Sequence, residues 1–155
     1  MASVTTISTR PNAKEIVHKN NEPGIYYDAF LYDGSSLQEK NLGSLYLVGQ
    51  VKYGDEDLAY LVNLISSLAK REYYSNSFIQ GQTAKIAFES TLHKLNEVLD
   101  DFFKNKEFKL AIGLAAISNE NVYIARVGNV RFALTRDDKY IYVINNIDLF
   151  NSENI

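Results

Sequence analysis

Three ionisable side chains on one predicted helix have the types and spacing of metal ligands. Glu89, His93 and Glu97 follow one another at four-residue steps, which aligns them along a single helical face. Two carboxylates and an imidazole could together hold a divalent cation. The same face lies away from the apolar stripe of that helix, so the pattern is also that of a solvated, charged surface, and we favour this second interpretation. The other histidine, His18, lies in a polar N-terminal stretch.

Nucleophilic chemistry finds little support in the residue pattern. The chain has no cysteine, which excludes a thiolate zinc site and a disulfide framework. No serine stands in a nucleophile-elbow motif, neither histidine has an evident relay partner, and glycine-rich phosphate loops are absent. The sequence alone therefore predicts no serine or cysteine nucleophile and no nucleotide site.

Composition and charge narrow the class of protein further. The 155 residues are 46% hydrophobic and 23% charged, with a net charge of -3, which is typical of one packed domain spanning 1–155. The nearest basic cluster, Lys104, Lys106 and Lys109, is interrupted by acidic residues. No apolar run approaches the roughly 20 residues of a membrane helix. We therefore expect a cytoplasmic protein without nucleic-acid or membrane partners.

The first third of the chain is predicted to form a pair of strands. Residues 1–24 indicate a loose arm or an edge strand that ends in the turn signal Pro23-Gly24. Residues 25–33 are rich in aromatic side chains and predict a strand, 34–40 predict a loop, and 43–51 predict a second strand that pairs antiparallel with the first.

The middle of the chain changes to a helical period. Apolar residues recur at three- and four-residue steps in two stretches, the first preceded by acidic residues 55–57 and followed by Lys70 and Arg71, which suit the two poles of a helix. Both stretches predict core-facing helical stripes. The stripe residues are Leu58, Leu61, Val62, Ile65, Leu68 and Ala69 in the first helix, and Ala84, Phe88, Leu92, Leu95, Leu99 and Phe102 in the second.

The last third returns to strands, predicted at 109–118, 121–127, 130–135 and 139–144 and joined as an antiparallel meander, with a frayed tail at 145–155. The element order predicts an α+β fold of antiparallel β-sheets, β-sandwich in type, with two long helices on a sheet face.

The 11 tyrosines could form a recognition surface, although those at 26, 32, 140 and 142 are typical half-buried strand residues. Tyr73-Tyr74, at the end of the first helix, is the stronger candidate for recognition.

Four stretches in this order resemble the type 2C, metal-dependent protein phosphatase family. Residues 27–30 (Tyr-Asp-Ala-Phe) resemble its Glu-Asp-Ala-Phe strand, and 45–54 resemble the strand that ends in Asp-Gly-x-Gly-Gly. Residues 110–117 resemble its Gly-Thr-Thr-Leu-Val-Ala-Ala strand, and 123–134 resemble its Ala-Asn-Val-Gly-Asp-Ser-Arg-Ala-Tyr-Leu hairpin. The resemblance spans about 25–144 and rests on collinear order, because no single motif is intact. It implies the N-terminal portion of that family's α-β-β-α sandwich.

The departures from the family pattern fall on its metal site. The resemblance places the carboxylate that bridges two Mn²⁺ or Mg²⁺ ions at Gln50, and the glycine whose carbonyl also coordinates at Val51. An amide is neutral and leaves the repulsion between two dications uncompensated. Valine, in addition, does not readily adopt the positive φ that a glycine turn can require. Both changes therefore argue against metal binding.

The remaining site positions are also altered. The resemblance matches the family's Glu-Asp pair to Tyr27 and Asp28, its phosphate-binding arginine to Pro23, and the aspartate of its Gly-Asp-Ser-Arg turn to Asn129. Asp28 is the one retained carboxylate, and a strand-edge carboxylate that accepts backbone hydrogen bonds is the commoner role for such a residue. We predict that these positions hold no metal or other cofactor and carry no catalysis.

Two functions remain open at this point. The first is a non-catalytic module, a pseudophosphatase, that acts by binding a protein partner or by self-association. No counterpart of the family's C-terminal portion precedes Ile155, so strand edges and apolar faces would be left over, and a homodimer would cover them most simply. The second is part of an active Mn²⁺- or Mg²⁺-dependent phosphatase whose other metal ligands lie outside this chain. A third possibility is an unrelated α+β domain, which a structure with 25–51 and 109–144 in unrelated sheets would establish.

Overall fold

The structure, a computed structural model, describes residues 13–16, 22–119 and 121–142. Most of the predicted N-terminal arm and the whole predicted tail at 145–155 lie outside these residues, as do the side chains of Tyr140 and Tyr142. Six strands and three helices follow one another along the described residues: Ile25–Asp33 (β1), Leu37–Leu42 (α1), Ser44–Tyr53 (β2), Leu61–Ser75 (α2), Ala84–Phe103 (α3), Phe108–Ile117 (β3), Val122–Val127 (β4), Ala133–Arg136 (β5) and Lys139–Tyr142 (β6).

Four strands form one antiparallel sheet in the order β1-β2-β3-β4. The predicted α+β class and the predicted antiparallel pairing of the first two strands are confirmed. The strands of 25–53 and 108–127 share this sheet, so the separate sheets that would have established an unrelated α+β domain are not found for them. The predicted four-stranded meander is also wrong, because β5 and β6 pair only with each other within the described residues and form a separate two-stranded sheet.

The predicted meander does not continue past β4, because residues 128–132 cross a face of the sheet and do not turn back beside β4. Gly113 in β3 provides the room, since a Cβ at this position would lie 2.7 Å from Val130 Cγ1 and 3.2 Å from Phe132 Cζ. Val130 and Phe132 thereby place apolar side chains against the sheet, and the burial of apolar surface favours this path.

The two long helices pack together and lie on one face of the sheet. α3 begins as predicted, and the Thr83 side chain at its N-cap accepts a hydrogen bond from the Ile86 N–H at 3.2 Å. α2 begins only at Leu61, so the acidic residues 55–57 precede its first turn, and it continues four residues beyond Arg71. The predicted placement of these charges at the helix poles is therefore wrong.

Side chains alternate between the two faces of the sheet. The helix-facing positions of β2 and β3, which include Leu45, Leu47, Val51 and Leu114, are almost fully buried. On the opposite face, which we call the outer face, Val48 of β2 is 47% exposed and Leu31 of β1 is 45% exposed. At the end of α3 the predicted core residue Phe102 is 68% exposed, and its neighbour Phe103 is buried instead.

The predicted loop at 34–40 is wrong, because a short helix, α1, follows Ser36. The Ser36 side chain accepts a hydrogen bond from the Glu39 N–H at 3.1 Å, and the Glu39 carboxylate accepts one from the Ser36 N–H at 3.1 Å. This reciprocal pair is a capping box, whose signature is a serine followed three residues later by glutamate. The Ser35 hydroxyl and nearby N–H groups lower the pKa of Glu39, which keeps the cap ionised.

Tyr73 and Tyr74 anchor α2 to the start of β2 and do not form an exposed recognition surface. Both side chains are buried and their rings meet edge to face with centroids 5.0 Å apart. The Tyr73 hydroxyl donates to the Leu42 carbonyl at 2.7 Å, and the Tyr74 hydroxyl donates to the Gly43 carbonyl at 2.7 Å. Burial raises the pKa of both hydroxyls, so they remain donors at neutral pH.

Among the helices that the structure describes, none has the length and apolar character needed to cross a bilayer.

Candidate functional site

A cavity of about 800 Å³ lies on the outer face of the sheet. Its floor comes from β1 and β2, one wall from residues 13–16, and another from 129–131, the start of the crossing segment. Four positions that the family resemblance assigns to the metal site line this cavity: Tyr27, Asp28, Gln50 and Asn129. Residues that are 102 positions apart in sequence, from Tyr27 to Asn129, thus border the same space.

The strand register makes two of these positions direct neighbours. Tyr27 of β1 lies opposite Gln50 of β2, and Gln50 lies opposite Ala111 of β3 on its other side. Directly opposed residues of antiparallel strands project to the same face, with Cβ atoms about 5 Å apart. Tyr27 and Gln50 therefore lie side by side on the outer face, a phenol beside a carboxamide.

Asp28, in contrast, turns its carboxylate away from Gln50. Asp28 lies opposite Gly49, one step along the strand from Tyr27, so its side chain projects to the helix side. There Oδ2 accepts a hydrogen bond from the Tyr26 hydroxyl at 3.0 Å, and the same hydroxyl accepts one from Asn63 Nδ2 of α2 at 3.1 Å. Oδ1 accepts a hydrogen bond from the N–H of the next residue at 2.8 Å.

These contacts give Asp28 a structural role. The carboxylate is the end of a hydrogen-bonded chain that connects α2 to the edge strand, and it satisfies a backbone donor on that strand. The sequence could not reveal this chain, because the Asn63 partner lies in a different element and no motif signals it. Asp28 borders the cavity through its place in β1, while its charge is engaged on the other side of the sheet.

Val51 and Pro23 also have structural positions. Val51 is fully buried inside β2, which continues to Tyr53, so the backbone at this position belongs to a strand ladder. Pro23 is exposed in the turn that precedes β1, where the Gly24 carbonyl accepts a hydrogen bond from the Tyr53 N–H at 2.8 Å. A proline offers a phosphate neither charge nor an N–H.

The cavity lining carries charges of both signs. It includes the cations Lys14 and Arg131 and the carboxylate of Glu15, while the Asp28 carboxylate is engaged on the helix side of the sheet. Between them lie apolar side chains of the outer face, among them Val48. Among the described residues of its lining, none provides the concentrated negative charge that holds two divalent cations.

The helical trio Glu89, His93 and Glu97 forms a solvated surface, the interpretation favoured from the sequence. All three side chains are exposed, Glu97 accepts a hydrogen bond from Lys94 at 2.8 Å, and this contact lowers the pKa of Glu97. Glu89 lies 3.9 Å from the Lys85 ammonium. Within the described ranges, no three histidine, cysteine or acidic side chains gather closely enough to hold a metal ion.

The chain has no detectable relatives in three comparisons: no family model, no curated protein and no solved structure matches it. The family resemblance therefore rests on the residues quoted for it and stays a prediction.

Proposed function

We propose that the protein is a non-catalytic relative of the type 2C protein phosphatases, a pseudophosphatase, that acts by binding a protein partner or by self-association. The observation that carries the proposal is the register of Tyr27 with Gln50. The resemblance assigns the two positions to the family's metal site from two separate motifs, and their pairing on one face of the sheet supports a common site.

The argument against catalysis is electrostatic. Two divalent cations held a few ångströms apart repel each other strongly, and a bridging carboxylate compensates that repulsion. Gln50 offers a neutral amide at the bridging position, Tyr27 offers a phenol beside it, and Asp28 is engaged by Tyr26 on the opposite face. Without paired metal ions the family's chemistry has no activated water and no polarised phosphoryl group.

The argument for binding comes from the outer face. Leu31 and Val48 expose about half of their side chains there, beside a cavity large enough for several residues of a partner. Exposed apolar surface next to a polar rim is typical of protein interaction sites. A protein partner or a second copy of this chain, most simply in a homodimer, would cover it.

A phosphatase assay tests the proposal. We expect the purified chain to hydrolyse p-nitrophenyl phosphate no faster with millimolar-range Mn²⁺ than buffer does, and its melting temperature to be unchanged by the metal, because a metal that binds only the folded state must stabilise it. Manganese-dependent turnover together with a manganese-dependent rise in melting temperature would overturn the proposal in favour of an active phosphatase. The assay is run with EDTA-treated protein as the metal-free reference.

A further inference from the structure

The two edges of the sheet differ in whether they can accept another strand. On β1, the Ala29 N–H donates to Asp28 Oδ1 at 2.8 Å, so it points away from β2 and is already occupied. A strand that approached this edge would have to displace a charged acceptor from its hydrogen bond. Natural proteins use inward or flanking charges in this way to block edge strands.

On β4, the outward-facing backbone groups can be identified from the register. The Ser118 N–H donates to the Asn121 carbonyl at 2.9 Å, which makes these two residues a hydrogen-bonded pair. Because such pairs alternate along an antiparallel ladder, the N–H and C=O groups of Val122, Ile124 and Arg126 point away from β3. Within 22–119 and 121–142, no strand pairs with this edge.

A cleft surrounds the β4 edge. It has a volume of about 570 Å³ and is lined from both sides of the strand, so it passes around the edge itself. On the helix side lie Phe88 and Leu92 of α3 with Tyr123, whose ring centroid is 6.1 Å from that of Phe88. On the outer side lie Phe132 and Leu134, and Leu134 is 45% exposed.

We propose that this cleft receives an extended peptide segment of a partner protein, which adds to β4 as a fifth strand of the sheet. The proposal deepens the proposed function, on which it rests for the view that this chain is a binding module. The walls of the cleft favour a single extended segment over a second copy of this chain. Residues of α3 and β5 line the cleft on both sides of the edge, and a second copy docked through the same edge would bring its own α3 and β5 against them, whereas a single extended segment brings no such elements.

The lining also defines the chemistry of the segment. Alternate side chains of an added strand would point to opposite faces of the sheet, and both faces are apolar here, so consecutive apolar residues are favoured. The cations Lys85 and Arg136 and the carboxylate of Glu89 are the charged residues of the lining, which favours an acidic residue beside the apolar run.

The test uses a fluorescein-labelled peptide, Glu-Val-Phe-Val-Leu-Glu with blocked ends, and two N-methylated forms. In one form the N–H groups of alternate residues along one edge are methylated, and in the other those along the opposite edge. We expect the unmodified peptide and one methylated form to bind with saturable anisotropy changes, and the other form to bind at least about tenfold more weakly, because strand addition uses one edge of the peptide. Equal binding of both forms, or no saturable binding below about 1 mM, would overturn the proposal.

Protein variants locate the peptide. Ile124→Pro removes an outward N–H and leaves the β3-β4 ladder in place, so we expect binding to weaken at least about tenfold while the melting temperature changes little. Leu134→Asp should weaken binding similarly. Leu31→Asp is the matched control, since Leu31 is also 45% exposed but lies on the outer-face cavity. Loss of binding in Leu31→Asp alone would contradict the β4 cleft and leave the proposed binding function in place.

Light scattering on the wild type and on Ile124→Pro tests whether a second copy of the chain, and not a peptide, occupies the β4 edge. A wild-type dimer that Ile124→Pro dissociates in the absence of peptide would mean that a second copy occupies the edge, which overturns the peptide proposal. The same mass for both proteins supports it. Manganese-dependent phosphatase activity would instead overturn the proposed function, with no effect on the N-methylation result, so the two failures are distinguishable.

Discussion

The double variant Tyr27→Glu/Gln50→Asp is expected to gain a manganese-dependent rise in melting temperature, which we do not expect for the natural chain. The register brings the two new carboxylates together on the outer face, where they can share a divalent cation. A metal at a hundredfold excess over its dissociation constant stabilises the folded state by about 2.7 kcal/mol. For a domain of this size, each kcal/mol raises the melting temperature by roughly 2–4 °C.

In the metal-free state the same variant should melt below the wild type, because like charges directly opposed on neighbouring strands cost up to about 1 kcal/mol. The matched control is Tyr27→Gln/Gln50→Asn, which has similar shape and no charge, and whose melting temperature should not respond to manganese. The prediction is contradicted if differential scanning fluorimetry gives the acidic and the neutral variants the same response to the metal.

Substitution of Gly43 by alanine is expected to cause the largest loss of stability of any small change in the described fold. Gly43 joins α1 to β2 with φ of +80°, a conformation that favours glycine. A Cβ at this position would lie 2.0 Å from the Ile117 carbonyl oxygen in the neighbouring strand. Backbone strain and this clash together should lower the free energy of unfolding by more than about 3 kcal/mol, a large fraction of the total for a domain.

Urea denaturation followed by circular dichroism measures this loss. Gly54→Ala is the matched control, because a Cβ at position 54 meets no atom within 4 Å, and we expect its free energy of unfolding to stay within about 0.5 kcal/mol of the wild type. Gly43→Ala with the stability of Gly54→Ala would show that the Gly43 backbone is not restrained as described.

Local sequence patterns predicted the elements whose bounds are set by nearby residues, such as turns, helical periods and caps. The bounds of β1 match the predicted 25–33, because Pro23-Gly24 fixes where the strand can begin and aromatic residues fill it to Asp33. α3 matches the stripe that starts at Ala84, since a long amphipathic period leaves few alternatives. α1 could also have been predicted, as the Ser36 and Glu39 capping box is a sequence signature.

The arrangement of the site depended on contacts between distant residues. Placing Tyr27 beside Gln50 requires the register of β1 with β2, and a shift of one residue would have put Gln50 beside Asp28 or Tyr26 instead. Period-two alternation then decides that Asp28 faces α2, where the Tyr26 hydroxyl donates to Asp28 and Asn63 donates to that hydroxyl. No pattern within β1 alone identifies these partners.

The arrangement of the last strands could not be predicted from local sequence patterns, for a related reason. Residues 130–135 have the composition of a strand, but Val130 and Phe132 cover Gly113 on the outer face instead of pairing beside β4. The crossing segment consequently supplies Asn129 and Arg131 to the cavity, and it leaves the β4 edge without a neighbour among the described residues. One departure from the predicted meander thus produces both surfaces for which a partner is proposed.

Direct manganese binding to the unaltered chain tests the central claim. Electron paramagnetic resonance detects free aqueous Mn²⁺, whose signal falls when the ion is bound. With Gln50 and Tyr27 at the site positions, we predict that the signal grows in proportion to added manganese up to about 1 mM, as it does in protein-free buffer. Uptake of two ions per chain with dissociation constants near or below about 10 μM would contradict the account, because an uncharged amide would then suffice to hold paired dications.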